Sequence, residues 1–303
     1  MELADVHVQM LRYVISDSID QSVLNRMRKL IKSIDVDALT MNIESLAECM
    51  FTHKWINPFP KFKYSERPDT ATAAILDGNI VIMVDNSPAV MIIPASIFDI
   101  IEEADDFNFS PMIGSYLRIT RFLFSIVTWI LTPLWLLFVN NPDWVPEFMK
   151  FVLITDDITV PVLLQLIILE LAVDGLKLAA VNTPTMLSTP LSIVAGIVVG
   201  EYAVSSGWFN PEALLYMAVV TVGTYGQTNF EMGYAFKFLR VLTLILTQVF
   251  NLGGFIAGVV ISVLMIAFNR TITGKSYIYP LIPWDGKMLK RKVLRVRLPH
   301  SYK

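Results

Sequence analysis

Polar and apolar positions divide this chain into two textures, and the change falls near residue 110. Up to there, short apolar runs alternate with charge. VHVQMLRYVIS carries β-type residues around Val6, Val8 and Met10. In SVLNRMRKLIKSI, Val23, Met27, Leu30, Ile31 and Ile34 form the stripe of an amphipathic helix that Asp17 or Ser18 would cap. A second short helix is expected over IESLAECMF, whereas Pro58 and Pro60 make NPFPKFKY a loop. Pro68 suits the first position of a helix through TATAAIL to Gly78. NIVIMV and AVMII, separated by DNSP, predict two strands joined by a turn, with Val81, Met83, Val90 and Ile92 in the core. SIFDIIEEADDF closes this part as a helix, so residues 1–110 read as a small α/β soluble domain.

Beyond residue 110 the apolar runs lengthen. FLFSIVTWILTPLWLLFV, residues 122–139, has no charge and is just long enough to cross ~30 Å of hydrocarbon. Further apolar stretches run from Ile158 to Asp174, from Leu178 to Gly200, over residues 213–230 and over residues 241–268. The last is long for one crossing and short for two, and Asn251-Leu252-Gly253-Gly254 in its middle is a hairpin or a break. Residues 111–275 are therefore expected to form an all-α polytopic membrane domain of five to six segments, followed by a basic tail over 276–303. Arg118 and Arg121 precede the first segment and acidic residues follow it, which puts the N-terminal domain on the cytoplasmic side. A return crossing at Asn251 puts the tail there too, with Lys237 and Arg240.

Composition agrees with a membrane protein: 54% of residues are hydrophobic and mean hydropathy is +0.55. Formal charge is −3, so nothing global points to nucleic acid. Lys287, Lys290, Arg291, Lys292, Arg295, Arg297 and Lys303 crowd the tail and suit anionic membrane lipids. The lone Cys49 excludes an internal disulfide and fits a reducing compartment, and MELADVHVQ does not read as a signal peptide. His7, His53 and His300 are scattered, so no metal site is expected. With no phosphate loop, Rossmann glycine pattern or nucleophile elbow, neither a cofactor nor an enzyme is expected.

Candidate chemistry lies in QLIILELAVDGLKLAAVNTPTMLSTPL, residues 165–191. Glu170, Asp174 and Lys177 fall at i, i+4 and i+7, one face of a helix otherwise fit for lipid. They either line an ion path or form a buried cluster in which Lys177 neutralises a carboxylate. Two carboxylates against one lysine favour cations. Asn182, Thr183 and Pro184, with Pro190, mark either a discontinuous helix offering backbone groups to an ion or a plain loop. Glu66, Arg67 and Asp69, around Pro68, either contact a neighbouring subunit or domain or merely cap a helix with a local ion pair.

Several stretches also resemble a known family. ERPDTATAAILDGNIVIMVDNSPAVMIIP, GSYLRITRF with LTPLWLL, LELAVDGLKLAAVNTP, GEYAVSSGWFNPE and KSYIYPLIPW are similar to the spore germination receptor A-subunit (GerA) family. DGLKLAAVNTP and GWFNPE resemble its stage V sporulation protein AF branch, while receptor A subunits usually carry an REAG-type sequence in place of VDGLK. The resemblance implies a spore inner-membrane protein with cytosolic soluble domains, assembled as a pentameric homo-oligomer into an ion channel, with a small membrane partner subunit. It also implies a further N-terminal soluble domain, this chain beginning around the second one. Competing classes are a release channel or transporter for a small anion such as dipicolinate and a non-conducting scaffold for germination proteins.

Overall fold

The computed structural model describes residues 11–14, 21–35, 42–51, 57–85, 87–182 and 196–295. The chain divides into two compact units, the first of residues 1–120 with 264–303, the second of residues 121–263. It is mostly helical, with one small sheet.

In the first unit, β1 (Leu11–Val14), β2 (Lys63–Ser65), β3 (Ile80–Val84) and β4 (Val90–Ile93) form an antiparallel sheet in the order β1-β3-β4-β2. Leu11 pairs with Val84, Ile80 with Ile93 and Lys63 with Ile92. Helices α1 (Gln21–Lys32) and α2 (Asn42–Met50) cover one face. Val23, Leu24, Met27, Ile31, Leu46 and Met50 pack there on Ile80, Ile82, Val84, Met91 and Ile93. Helix α3 (Pro68–Leu76) covers the other face, where Ala74 meets Val81 and Ile92. The side-chain alternation expected of β3 is present, but the expected core face is the thinner one. Val81 and Ile92 are buried, Val90 is half-buried, and Met83 is 36% exposed. The main core lies on Ile80 and Ile82 instead, because a strand covered on both faces reads as a continuous apolar run.

Two boundaries also differ from expectation. The proline-rich loop ends in β2 at Lys63 and Tyr64, which pairing with β4 makes extended despite the nearby prolines. The helix expected over SIFDIIEEADDF stops early: α4 spans Ile97–Ile101, and a 3-10 turn follows at Ala104–Asn108. A capping box starts α4, with Ser96 Oγ accepting from Asp99 N and Ser96 N donating to Asp99 Oδ2.

The C-terminal stretch packs into this unit. Ile272 joins the main core, and the carbonyl of the buried Tyr277 accepts from Ile97 N at 2.9 Å. Lys61, only 5% exposed, donates to Asn269 Oδ1 and to the Arg270 carbonyl at 2.7 Å. Burial lowers its pKa to about 8. Asp285 caps the basic helix α9 (Gly286–Val293) by accepting from Met288 N at 3.0 Å. Lys292 of that helix sits 2.5 Å from Asp99 and 3.5 Å from Glu102. Burial opposes its charge, but the two carboxylates outweigh that and raise its pKa. Arg118, at the start of α5 (Pro111–Asn140), bridges Glu102, Asp106 and the Arg291 carbonyl.

The second unit holds the rest of α5 with α6 (Val162–Asn182), a short helical stretch over residues 197–205, α7 (Pro211–Tyr225) and α8 (Phe230–Ala267). Among the described residues, α5 and α8 are the two helices long and apolar enough to cross a membrane, with mean hydropathies of 2.2 and 2.3. Most of the third expected segment, Leu178 to Gly200, lies outside the described residues.

Helix α8 contains a sharp reversal. Asn251 has φ 53° and ψ −131°, far from helical values. A Cβ on Gly254 would lie 1.8 Å from the Leu246 carbonyl oxygen, and one on Gly258 would lie 2.9 Å from Thr243 Cα. Residues eight and fifteen apart in sequence touch only if the helix folds back, so α8 is a hairpin of two antiparallel arms. Gly254, Gly258 and Ser262, one turn apart and buried, let the arms approach closely. The reciprocal amide bonds of Asn141 and Asn251, 2.6 and 2.9 Å, tie the end of α5 to this bend.

Candidate functional site

Four of the five candidate residues on and after α6 fall within that helix, and it orders three of their side chains. Glu170, Asp174 and Lys177 lie on one face, as their spacing requires. Asn182 is the last residue of the helix, and Pro184 lies outside the described residues, as do Thr183 and Pro190.

The partners of the carboxylates come from α8. Arg240 holds Glu170 in a two-pronged ion pair, Nε to Oε1 at 2.5 Å and Nη2 to Oε2 at 2.8 Å. Its third donor, Nη1, reaches the Thr128 carbonyl of α5 at 2.5 Å. Lys237 donates to Asp174 Oδ2, lies 3.7 Å from Glu170 Oε2 and donates to the Glu170 carbonyl at 3.2 Å. Glu170 and Arg240 are 4% and 2% exposed. Pairing 170 with 240 and 174 with 237 runs in opposite senses, so α6 and the first arm of α8 are antiparallel here. Lys177 does not neutralise a carboxylate as one reading anticipated. Its Nζ stands 5.3 Å from the centre of the Tyr225 ring and 5.8 Å from that of Tyr234.

These side chains border a cavity of about 100 Å³ between α6, α7 and α8. Val173, Thr221, Gln227 and Asn229 complete much of its wall. Gln227 donates to Thr128 Oγ1 at 3.3 Å, while its own Oε1 is buried and accepts from none of the described residues. A Cβ on Gly223 would meet Thr128 Cγ2 at 2.6 Å, so only glycine lets α7 lie this close to α5.

Lys237 and Arg240 are the residues that the sequence reading missed. It used them as flanking charges that orient a membrane segment. Their i, i+3 spacing matches the i, i+4 spacing of Glu170 and Asp174, and a carboxylate in an apolar helix needs a cation from somewhere. That complementarity was the available signal. It also changes the charge balance: the cluster holds two carboxylates and three cations, so the count favouring cations does not survive.

The other candidate group is local. Arg67 pairs with Asp69 at 2.6 Å and with Asp105, all within the first unit. The hydrogen bond from Arg67 holds the Asp69 carboxyl down at about 2. Glu66 is exposed and joins neither pair. A larger cavity of about 310 Å³ in the same unit is walled by α3, α4 and α9, with Asp77, Asn79 and Lys292 among its polar groups. Among the described residues no group of three or more His, Cys, Asp or Glu could hold a metal ion.

Residues 6–303 match the model of the Bacillus/Clostridium GerA spore germination protein. The chain is 34% identical over 285 residues to stage V sporulation protein AF of Bacillus subtilis, covering 94% of this chain and 57% of that protein. It is 24% identical over 282 residues to spore germination protein KA of Bacillus subtilis, covering 91% and 51%. It is 25% identical over 287 residues to spore germination protein GerLA of Bacillus cereus, covering 93% and 57%. The chain thus spans a little over half the length of these relatives. No solved structure matches.

Proposed function

The chain belongs to the GerA spore germination protein family, and from that premise we propose that it is a membrane subunit of a germination-receptor-like, oligomeric ion channel acting in spore germination. The observation that carries the channel reading is the buried cluster of Glu170, Asp174, Lys237 and Arg240 beside a cavity in an apolar helical unit. A buried ion pair gains little over apolar packing of the same shape. Helices that only had to sit in lipid would need no such charges, and ionisable groups at such positions recur along ion paths.

Five to six crossings, residence in the spore inner membrane, and a cytoplasmic N-terminal unit and tail belong to the same proposal. Two levels of polar contact support the up-and-down course. Thr128, Glu170, Gln227 and Arg240 meet at one level of the helices. Gln165 with Asn210, and Asn141 with Asn251, meet toward the opposite helix ends. Many side chains on the outside of this unit are apolar and exposed, among them Leu171, Leu215, Val222, Phe238 and Val249. Lipid or further copies of the chain would cover them, and a small membrane partner subunit could share that surface.

Purified protein reconstituted into liposomes tests the reading by ion flux against protein-free vesicles. Flux that depends on an assembled oligomer supports a channel. An intact oligomer in lipid that passes no ion under any applied gradient rejects it and leaves a scaffold.

A further inference from the structure

The ion pairs of the second unit do not balance. Arg240 and Lys237 neutralise Glu170 and Asp174, which leaves Lys177 as a third cation on the wall of the same cavity. Lys177 makes no ion pair with any described residue. The faces of Tyr225 and Tyr234 offset only part of what a half-buried ammonium loses on leaving water. One further donor on that wall lacks an acceptor. Asn229 caps α8 through its Oδ1, which accepts from Met232 N at 2.9 Å, and no hydrogen bond from its side-chain amide is found among the described residues. Gln227 adds nothing to that supply of donors: its Nε2 donates to Thr128 Oγ1, and its buried Oε1 is an acceptor with no donor among the described residues. Thr221 and Thr224 have already spent their hydroxyl hydrogens on the Met217 and Val220 carbonyls.

We propose that this cavity binds one small anion, held by the Lys177 ammonium and by the side-chain amide of Asn229. A volume of about 100 Å³ admits an ion of the size of chloride, nitrate or formate with a water or two, and excludes a sugar acid such as gluconate. The bound anion brings the cluster to three positive and three negative charges, which a low-dielectric setting favours over any excess. The inference deepens the channel reading by naming the charge class that the cluster accepts. It needs no current, so the two can fail separately.

Chloride NMR linewidth, measured on the full chain in a non-ionic detergent, tests it. Binding broadens the chloride line, and nitrate or formate, but not gluconate, should reverse the broadening. Lys177→Gln should weaken chloride at least about tenfold, as expected for loss of one charged contact. Lys177→Arg should retain it, and Lys287→Gln in the tail should leave it unchanged. Melting temperature reports whether each variant is folded, and Lys177→Arg keeps the test decisive should the glutamine variant unfold. Broadening that is equal in wild type and folded Lys177→Gln, or that gluconate reverses as well as nitrate does, overturns the proposal even if the protein conducts.

Discussion

Glu170→Gln is the substitution whose outcome the structure changes most. From sequence alone it keeps shape, removes charge and spares packing. In the structure it strands Arg240, which is 2% exposed. The new amide also replaces one accepting oxygen with an NH2 group that faces guanidinium donors. Removing one member of a buried, hydrogen-bonded ion pair costs about 3–5 kcal/mol. Lys237, 3.7 Å from Glu170, also loses a favourable neighbour. At about 2–4 °C per kcal/mol for a protein of this size class, the melting temperature should fall by roughly 6–20 °C. Glu170→Gln/Arg240→Gln leaves two neutral amides that can bond to each other, so it should recover more than half of the loss. Tryptophan fluorescence melts in detergent measure both variants, and the double-mutant cycle isolates the coupling. A single variant melting within about 2 °C of wild type would show that Glu170 is solvated or unpaired and would refute the buried cluster, since that shift is under about 1 kcal/mol.

Three further outcomes follow from other parts of the structure. Gly254→Ala should destabilise or unfold the α8 hairpin because its Cβ meets the Leu246 carbonyl, whereas Gly253→Ala, which meets nothing within 4 Å, should be silent in melting experiments. If both are silent, the arms do not pack as described. Ile82→Ala, fully buried under α1 and α2, should cost about 2–5 kcal/mol, and Met83→Ala, at the exposed position, under about 1; equal costs would mean the sheet is buried the other way round. Lys61 sets a pH signature. Its folded-state pKa, about 8, lies below the ordinary lysine value of 10.5, so between those limits the unfolded chain holds a proton that the folded chain has released. Wild-type stability should therefore rise relative to Lys61→Met as pH goes from about 8 to 10.5, by up to about 3 kcal/mol. A difference that stays flat across this window would show that Lys61 is hydrated.

The amphipathic stripe of α1, the N1 proline of α3 and the two adjoining strands were all legible, because each rests on local periodicity or on one residue's backbone preference. What was not legible depends on partners distant in sequence. β2 becomes a strand only because β4 lies beside it. The deeper face of β3 is decided by two helices that cover Ile80 and Ile82, not by the strand's own pattern. KSYIYPLIPW reads as a membrane-proximal tail, yet Tyr277 and its neighbours fold onto the N-terminal unit through Ile97, and Asn269 and Arg270 just ahead of that stretch bind Lys61. In the candidate site, the α6 face was evident from spacing, but its counter-charges lay 63 and 70 residues on. The asparagine at 251 and the glycines after it suggested a bend. Only the close approach of Gly254 to Leu246 and of Gly258 to Thr243 makes it a hairpin.

The claim at the centre of this account is that the space beside Glu170, Asp174 and Lys237 lies on an ion path. Val173 lines that space one helical turn from Glu170. Val173→Cys, in a Cys49→Ser background, should be modified by a charged, membrane-impermeant thiol reagent during single-channel recording from reconstituted oligomers. The account predicts that modification alters or blocks the current, and that a reducing agent restores it. Current unchanged after modification is verified by mass would place the ion path elsewhere and reduce the cluster to a structural lock.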